Sequence, residues 1–277
     1  MKISVVTTSY NSSNHIEEFI SRVESLFFEE RFDYEIIIVD DGSSDNSINK
    51  IREIQSQKNK IILIELSRNF GHHPAISCGL KHANGDFIFL IDSDLEEDPQ
   101  LFNEFFKELQ KSDLDLVYGQ QKIRRGSLLE KISGNIYYSF LKYIAGFKLP
   151  RNMTTARLMK REYLDAYLKF NESEFLLGGI TELTGFRKKG LFVKKTRRHK
   201  TNYKLFMKLQ ILVRSITNYS SRPLYLLFYT GLIISLVSFC LTFYIIFISF
   251  FREVDVPGWL TLVCLSYFGV GITILSN

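Results

Sequence analysis

Apolar and polar residues alternate along the first part of the chain in blocks that are typical of strands followed by helices. Short runs of β-branched and aromatic residues at 2–7, 34–39, 61–66 and 87–91 have the length and composition of buried strands. The segments between these runs carry apolar residues three and four positions apart, which predicts helices. Because strand–helix units repeat with short loops, the pattern predicts an α/β fold with a doubly wound, mostly parallel sheet and helices on both faces.

The pattern continues less regularly after this first half. Further strands are predicted at residues 114–119, 154–159 and 190–195, and a helix is predicted at 161–170. The segment 127–145 has the pattern of an amphipathic helix, for which core packing and a position in the membrane interface are both open. These elements extend the predicted sheet beyond its first four strands.

Two long apolar segments follow near the end of the chain. Residues 224–251 form a run of 28 positions without a charged side chain, and residues 259–277 form another of 19. A helix of about 20 residues crosses a hydrocarbon core of roughly 30 Å, so each run is long enough to span a membrane. A buried core helix is the alternative, but it suits a much shorter run. Before them, residues 204–219 combine an apolar face with basic residues, which predicts an interfacial helix.

Charge is distributed unevenly and indicates an orientation. Between residues 185 and 222 there are twelve Lys or Arg and no Asp or Glu, although the whole chain has a net charge of only +5. Basic residues beside a membrane span mark its cytoplasmic side, and they attract anionic headgroups. No nucleic-acid-binding motif accompanies this block, so we expect no nucleic-acid partner. The pattern predicts a multi-pass protein of the cytoplasmic (inner) membrane, with residues 252–258 as a short turn on the far side.

Two predicted strands end in carboxylates. Asp40 and Asp41 end the second strand, and Asp92 and Asp94 follow the fourth, with Glu96 at the same interval. An Asp-x-Asp pair alone can equally be a solvated acidic turn that caps the next helix. Since the carboxyl ends of parallel strands share one edge of a sheet, where ligands bind in open α/β folds, the two acidic ends together favour a functional site.

The residue types at this edge suggest a particular ligand. We expect the oxygens of Asp92, Asp94 and Glu96 to converge on Mg²⁺ or Mn²⁺ with a diphosphate, because hard divalent cations prefer oxygen ligands. An acid pair such as Asp40 and Asp41 suits hydrogen bonds to a base or ribose. The chain contains no Gly-x-Gly-x-x-Gly or Walker sequence, so the phosphates would be held by the metal and by basic side chains. The three scattered cysteines predict neither a disulfide framework nor a metal cluster.

Several motifs in order along the chain resemble one known family. They are Ser4-Val5-Val6 with Tyr10-Asn11, Asp40-Asp41-Gly42-Ser43-Ser44-Asp45, Leu66-Ser67-Arg68-Asn69-Phe70-Gly71-His72, Gly85-Asp86, Asp92-Ser93-Asp94-Leu95-Glu96 and Arg157-Leu158-Met159. Together they resemble the family-2 inverting glycosyltransferases of the GT-A fold, a Rossmann-like fold. Within that family the chain looks most like the polyprenyl-phosphate group, which includes dolichol-phosphate mannose synthase and bactoprenol glucosyltransferase.

The resemblance implies an enzyme that transfers a sugar from a nucleotide-sugar donor to polyprenyl phosphate. It implies that residues 1–203 form a cytoplasmic catalytic domain, residues 204–222 an interfacial helix and residues 223–277 a two-helix transmembrane hairpin. Membrane lipids would be further partners, and a homo-oligomer is left open. The implied nucleotide-binding residues are Tyr10, Asp40, Asp41 and Asp92, and the implied metal ligands are Asp92, Asp94 and Glu96. The implied lipid-phosphate ligands are Arg124, Arg125 and Arg157, and the implied catalytic residues are Asp94, Arg157 and Arg197.

Two alternatives stay open from the sequence. The chain departs from the family pattern at Glu96, where the family has Gln, and at Thr155, where it has Asp. Transfer to a lipid-linked glycan would need a carboxylate base for a hydroxyl acceptor, which Glu172, Glu174 or Glu182 would supply. A catalytically silent membrane scaffold is the alternative of a different class, although both acid pairs are retained.

Overall fold

A computed structural model describes residues 1–121, 152–170, 179, 181–182, 184–195, 222–252 and 258–276. These residues fall into two compact units: residues up to 195 belong to the first, and residues 222–276 belong to the second. The predicted helices at 127–145 and 204–219 lie outside the described residues. The predicted domain boundaries near 203 and 222 are therefore still predictions.

The first unit contains strands and helices close to the predicted positions. The described strands are β1 (Lys2–Ser9), β2 (Asp33–Asp40), β3 (Ile61–Glu65), β4 (Phe87–Leu90), β5 (Leu116–Gln120), β6 (Met153–Lys160) and β7 (Lys188–Phe192). The described helices are α1 (Ile16–Glu29), α2 (Ser47–Gln57), α3 (His72–His82), α4 (Leu101–Lys111) and α5 (Arg161–Leu168). The last strand begins and ends earlier than its predicted range of 190–195.

The described strands form one seven-stranded sheet in the order β3-β2-β1-β4-β6-β5-β7. All neighbouring pairs are parallel except those of β6, which runs antiparallel to both β4 and β5. The predicted mostly parallel α/β sheet is confirmed. The sequence pattern located β6 but carried no information on its direction, because the apolar alternation is the same in both directions.

The core lies between the sheet and the helices α1 and α4. Helix α1 buries the apolar stripe that its 3.6-residue period places on one face, and α4 adds Phe102 and Phe105 to the same cluster. The ring of Phe27 lies edge-on to that of Phe102, with centroids 4.8 Å apart. Strands β1, β2 and β4 are buried along almost their whole length, as central strands covered on both faces should be.

The amino edge of the sheet is fastened by a buried carboxylate. Glu35 on β2 accepts hydrogen bonds from the Ser4 hydroxyl (2.6 Å), the Asn84 backbone N–H (2.8 Å) and the Lys2 ammonium. Burial alone would raise the pKa of Glu35, but these hydrogen bonds and the charge of Lys2 hold that pKa below its usual value. The contacts tie the turn before β4 to the start of β1 and β2.

The second unit consists of two apolar helices, α6 (Arg222–Arg252) and α7 (Gly258–Ser276). Among the described residues, one segment, Leu224–Phe251 in α6, is long and apolar enough to cross a membrane; α7 is apolar but shorter. The helices are antiparallel, as predicted for a hairpin: Gly231 meets Gly271 and Ile274, and Phe239 meets Phe268. A side-chain carbon at Gly271 would lie 2.8 Å from the backbone nitrogen of Ser235, so the two backbones approach closely there.

The close approach at Gly85 gives a test of the packing. A Cβ atom at this position would lie 2.6 Å from the Ser4 nitrogen and 2.8 Å from the Lys2 carbonyl oxygen, both in the backbone of β1. We expect Gly85→Ala to lower the melting temperature of the full chain by about 3–10 °C, since overpacking costs about 1–3 kcal/mol. Thermal unfolding in detergent, followed by circular dichroism, measures the change.

The matched control is Gly269→Ala, where the added carbon meets no atom within 4 Å. This variant should melt within about 2 °C of the wild type, because surface changes usually alter stability by less than about 0.5 kcal/mol. Equal melting temperatures for the Gly85 variant and the control would contradict the proposed packing.

Candidate active site

The carboxyl ends of four parallel strands place four loops along one edge of the sheet. Residues 10–15 follow β1, residues 41–46 follow β2, residues 66–71 follow β3 and residues 91–98 follow β4. The two acidic strand ends predicted from the sequence therefore lie on the same edge, as expected. This is the edge at which open α/β sheets bind ligands.

The first two loops are linked through Asn11. Its backbone adopts a left-handed conformation (φ 51°), which asparagine tolerates better than most residues. The Asn11 N–H donates to the Ser43 hydroxyl at 2.9 Å, and the Asn11 side-chain oxygen accepts from the Ser44 N–H at 2.9 Å. The loop that carries Tyr10 is thus fixed against the turn that follows β2.

Asp40 and Asp41 are buried and hold neighbouring backbone. Asp40 accepts hydrogen bonds from the Ser43 N–H (2.8 Å) and hydroxyl (2.6 Å). The two oxygens of Asp41 accept the N–H groups of Phe70 (2.7 Å) and Gly71 (2.9 Å), which fastens the loop after β3. These contacts account for both acids as buried carboxylates, and their predicted contact with a nucleotide stays a prediction.

Gly42 allows the loop after β2 to meet the loop after β3. Its φ of +74° lies in the left-handed region, and a Cβ atom there would be 2.6 Å from the carbonyl carbon of Arg68. Only glycine can adopt this backbone conformation without strain and also leave room for the Arg68 backbone. The Asp-Asp-Gly sequence therefore specifies a turn against which the loop after β3 packs.

Two exposed aromatic rings lie in the same group of loops. Tyr10 is 53% exposed and Phe70 is 46% exposed, and the Arg68 guanidinium lies 4.5 Å from the centre of the Phe70 ring. Exposed rings next to a polar edge can stack on a planar ligand group. The position of Tyr10 is compatible with its predicted role in nucleotide binding.

The acidic loop after β4 is held in a strained conformation. Leu95 has φ 57° although it is not glycine, and its side chain is buried in the main core cluster. Such a backbone costs about 1–3 kcal/mol and is retained where the surrounding structure requires it. The Ser93 hydroxyl also donates to the Thr8 carbonyl at 2.7 Å, so the loop is fastened to the end of β1. The flanking acids Asp94 and Glu96 are less deeply buried than Leu95.

Asp92 is linked to the start of α3 through a histidine. One His72 ring nitrogen lies 3.1 Å from the Thr8 hydroxyl, and the other lies 3.4 Å from an oxygen of Asp92. At the next residue, His73, burial and the charges of His72 and Arg157 lower the pKa to about 4. His73 is therefore neutral at physiological pH.

The other acids of this loop have different partners. Asp94 accepts the Glu96 N–H at 2.9 Å; burial raises the pKa of Asp94, and the charges of Asp92 and Glu96 add to the rise. Glu97 is fully buried and accepts the Ala156 N–H of β6 at 3.2 Å, and burial raises its pKa also. Glu97 thereby connects the acidic loop to the strand that carries Arg157.

A lysine from the other end of the sheet reaches this loop. The Lys195 ammonium lies 2.9 Å from a carboxylate oxygen of Glu96. Burial alone would lower the pKa of Lys195, but the hydrogen bond to Glu96 and the charges of Glu97 and Asp92 raise that pKa above its usual value. The loop thus binds one cationic group of the protein itself.

The predicted convergence of three acids on a metal is not observed. Among the residues that the structure describes, no three carboxylate, imidazole or thiol side chains lie close enough to hold one ion. Asp92 faces His72 and Glu96 faces Lys195 instead. The donor chemistry nevertheless fits Mg²⁺ or Mn²⁺, because the loop offers carboxylate oxygens and already accepts the positive charge of Lys195.

The arginines predicted to bind phosphate are only partly described. Arg157 is 2% exposed, and its guanidinium donates to the Thr155 carbonyl (3.1 Å), the Thr154 carbonyl (3.2 Å) and the Thr181 hydroxyl (3.5 Å). Its predicted roles toward phosphate and in catalysis stay predictions. The remaining predicted arginines, Arg124, Arg125 and Arg197, lie outside the described residues.

The three carboxylates considered as a general base are also only partly described. Glu182 forms an ion pair with Lys188, with a nitrogen–oxygen distance of 3.0 Å. The other two, Glu172 and Glu174, lie outside the described residues.

Three residues of this edge received no role from the sequence: His72, Glu97 and Lys195. Glu97 stands in an acidic run, and its complete burial is the signal that separates it from its neighbours. Lys195 appears in the sequence as one more charge of the basic block. Its contact with Glu96 depends on the sheet, which brings the end of β7 beside the acidic loop.

The chain matches the model of one protein family, described as glycosyl transferase family 2, over residues 4–168. The chain belongs to this family. It is 35% identical over 274 residues to a putative glycosyltransferase of Mycobacterium tuberculosis, covering 99% of this chain and 80% of the relative. It is 26% identical to the undecaprenyl-phosphate 4-deoxy-4-formamido-L-arabinose transferase of Proteus mirabilis, covering 87% of this chain and 74% of that protein.

A solved structure supports the fold. The glucosyl-3-phosphoglycerate synthase of Mycobacterium tuberculosis, solved with Mn²⁺ and uridine-diphosphate-glucose, superposes with a TM-score of 0.52 at 20% identity, over 79% of each chain. The fold of this family 2 member is the predicted GT-A fold. The protein is therefore a glycosyltransferase, an enzyme that takes a glycosyl group from a nucleotide sugar, and the predicted family is confirmed.

The charge of Asp94 provides a test of this site. We expect Asp94→Asn to lower glycosyl transfer by more than about a hundredfold, because the amide keeps the shape of the side chain but removes its negative charge from the predicted metal site. Turnover of the purified full chain with a nucleotide sugar measures the loss. Thermal unfolding should be close to that of the wild type.

Asp98→Asn is the matched control, since it makes the same charge change in the same loop at an exposed residue. We expect its turnover to stay within about threefold of the wild type. If the turnover of Asp94→Asn also stays within about threefold of the wild type, Asp94 does not contribute to the metal site.

Proposed function

We propose that this family 2 glycosyltransferase transfers a sugar from a nucleotide sugar to polyprenyl phosphate at the membrane surface, with inversion at the anomeric carbon. The observation that carries this proposal is the presence of α6, a helix long and apolar enough to cross a membrane, in the same chain as the glycosyltransferase fold. An enzyme with a lipid acceptor has a physical reason to stay at the surface where the acceptor phosphate lies.

Two further observations support a polyprenyl phosphate acceptor. The relative in Proteus mirabilis is named for transfer to undecaprenyl phosphate, and its similarity extends over 87% of this chain. The block of twelve basic residues between 185 and 222 directly precedes the uncharged apolar run that begins at Leu224. Basic side chains near a membrane attract phosphate and anionic lipid headgroups.

The chemistry of such a transfer suits the residues at the sheet edge. An oxygen of the acceptor phosphate attacks the anomeric carbon, and the bond from that carbon to the nucleoside diphosphate breaks on the opposite face. The acceptor is already an anion, so the reaction needs positioning and charge neutralisation more than it needs a general base. This fits a site in which the described carboxylates are engaged by hydrogen bonds or cations of the protein.

The residue roles in this proposal follow the order of the loops. Tyr10, Asp40 and Asp41 would bind the base and ribose of the donor. Asp92, Asp94 and Glu96 would hold Mg²⁺ or Mn²⁺, which when bound would neutralise the charge of the leaving diphosphate. The arginines proposed for the lipid phosphate and the transfer step are Arg124, Arg125, Arg157 and Arg197.

A direct product assay tests the acceptor. We expect purified full chain, incubated with polyprenyl phosphate, Mg²⁺ or Mn²⁺ and a panel of nucleotide sugars, to yield a lipid whose mass has increased by one sugar residue. Mass spectrometry of the extracted lipid identifies the sugar and the acceptor together, and Asp94→Asn serves as the inactive control. Glycosylation of a lipid-linked saccharide in place of the phosphate would favour the glycan-extending alternative.

The orientation in the membrane is part of the same proposal. We propose that α6 and α7 both cross the cytoplasmic membrane and that the glycosyltransferase unit lies on the cytoplasmic side. In a variant without Cys78, Cys240 and Cys264, Asp255→Cys should react with an impermeant thiol reagent added outside intact cells. Lys200→Cys should react only after the membrane is opened, and the reverse pattern would contradict this orientation.

A further inference from the structure

We propose that Lys195 is a positioning residue that competes with the divalent cation for Glu96, so that the metal site is assembled only when Lys195 leaves the acidic loop. This inference rests on the proposed metal site of the transferase. It concerns how that site is held before the cation arrives, and it assigns a role to the ion pair between Glu96 and Lys195.

The ion pair is held in place from both sides. Leu95 is buried in the core cluster next to Glu96, and Val193 is buried in the same cluster two residues before Lys195. Val193 also continues the pairing of β7, because its N–H donates to the Gln120 carbonyl at 3.0 Å. Val193 is buried and Lys195 is partly buried, while Lys194 between them is exposed.

The contact is too enclosed to be an ordinary surface pair. The side chains of Lys195 and Glu96 are 26% and 14% exposed, and the nitrogen–oxygen distance is 2.9 Å. Charge-assisted hydrogen bonds at this distance and in partial burial are stronger than exposed ion pairs. The contact therefore helps to hold the Glu96 carboxylate toward Lys195.

A divalent cation and the Lys195 ammonium cannot share this carboxylate without cost. Both are positive, and at neighbouring positions on one carboxylate they repel each other strongly in a partly buried site. The three proposed ligands lie within five residues of sequence, yet among the described residues they form no ligand group, with Glu96 facing Lys195 and Asp92 facing His72. In this proposal, binding of the cation therefore releases Lys195 from Glu96.

The affinity for Mn²⁺ alone, measured with the full chain in detergent, tests the competition. Lys195→Gln removes the competing charge and should lower the Kd for Mn²⁺ about three- to tenfold, as measured by electron paramagnetic resonance of free Mn²⁺. Lys195→Arg keeps the charge and should leave the Kd within about twofold. Lys194→Gln is the matched control, since it makes the same charge change at the neighbouring exposed residue, and it should also leave the Kd nearly unchanged.

A double-mutant cycle separates direct exchange from a general charge effect. In a Glu96→Gln background the ion pair is absent, so Lys195→Gln should then change the Kd for Mn²⁺ by less than about twofold. A full three- to tenfold effect in that background would overturn the proposal. It would also be overturned if Lys195→Gln behaved like Lys194→Gln, or weakened Mn²⁺ binding.

A second measurement follows the lysine itself. With Mn²⁺ present, Lys195 should react with an amine-acetylating reagent at least about twofold faster than without it, because release from Glu96 exposes the amine. Lys194 should react at the same rate in both conditions, as determined by mass spectrometry of the digested protein. Unchanged Lys195 reactivity at saturating Mn²⁺ would contradict the release.

The outcomes distinguish this inference from the proposed function. If Mn²⁺ binds and Asp94→Asn weakens it while the Lys195 variants have no effect, the metal site stands and the competition is wrong. If Mn²⁺ binds neither the wild type nor Lys195→Gln, both the competition and the proposed metal site are wrong. Transfer to polyprenyl phosphate is measured separately, so the acceptor is decided by the product assay.

Discussion

The organisation of this protein depends on the requirement that a buried carboxylate must find hydrogen-bond donors or a cation. The carboxyl edge of the sheet carries several acids, and leaving any one of them buried and unpaired would cost several kcal/mol or shift it to the neutral form. Asp41 meets the requirement with two backbone N–H groups of the loop after β3, whereas Glu97 accepts the Ala156 N–H of β6 and burial raises its pKa toward the neutral form. The acids thereby determine how the loops are placed.

The same requirement explains the partners of the acids in the loop after β4. Asp92 faces His72 and Glu96 faces Lys195. Two of the acids that are proposed to hold a metal ion are therefore in contact with side chains of the protein itself. Leu95 keeps its strained backbone because its side chain is buried in the core, and this holds the flanking acids at the edge. In the proposed function a cation held by these acids, and not the acids themselves, would neutralise the charge of a leaving diphosphate.

Particular elements show how far the sequence could be used to predict the fold. The apolar runs at 34–39 and 87–91 predicted buried strands, and β2 and β4 are both buried and parallel to β1. The two acidic strand ends lie on the same edge of the sheet, as predicted, because strand direction follows from repeated strand–helix units. The direction of β6 was not predictable, since an apolar strand pattern reads the same either way and pairing is decided by partners far apart in the chain.

The sequence by itself determined the α/β class, the family, the edge of the sheet where the acids lie and the apolar segment of α6. These properties depend on periodicity, composition and local motifs, all of which are written along the chain. Only the tertiary structure decided the partner of each acid: Asp41 with the loop after β3, Glu97 with β6, and Glu96 with Lys195. The physical reason is that electrostatic and hydrogen-bond partners are chosen by distance in space, and the sheet brings together residues that no sequence spacing connects.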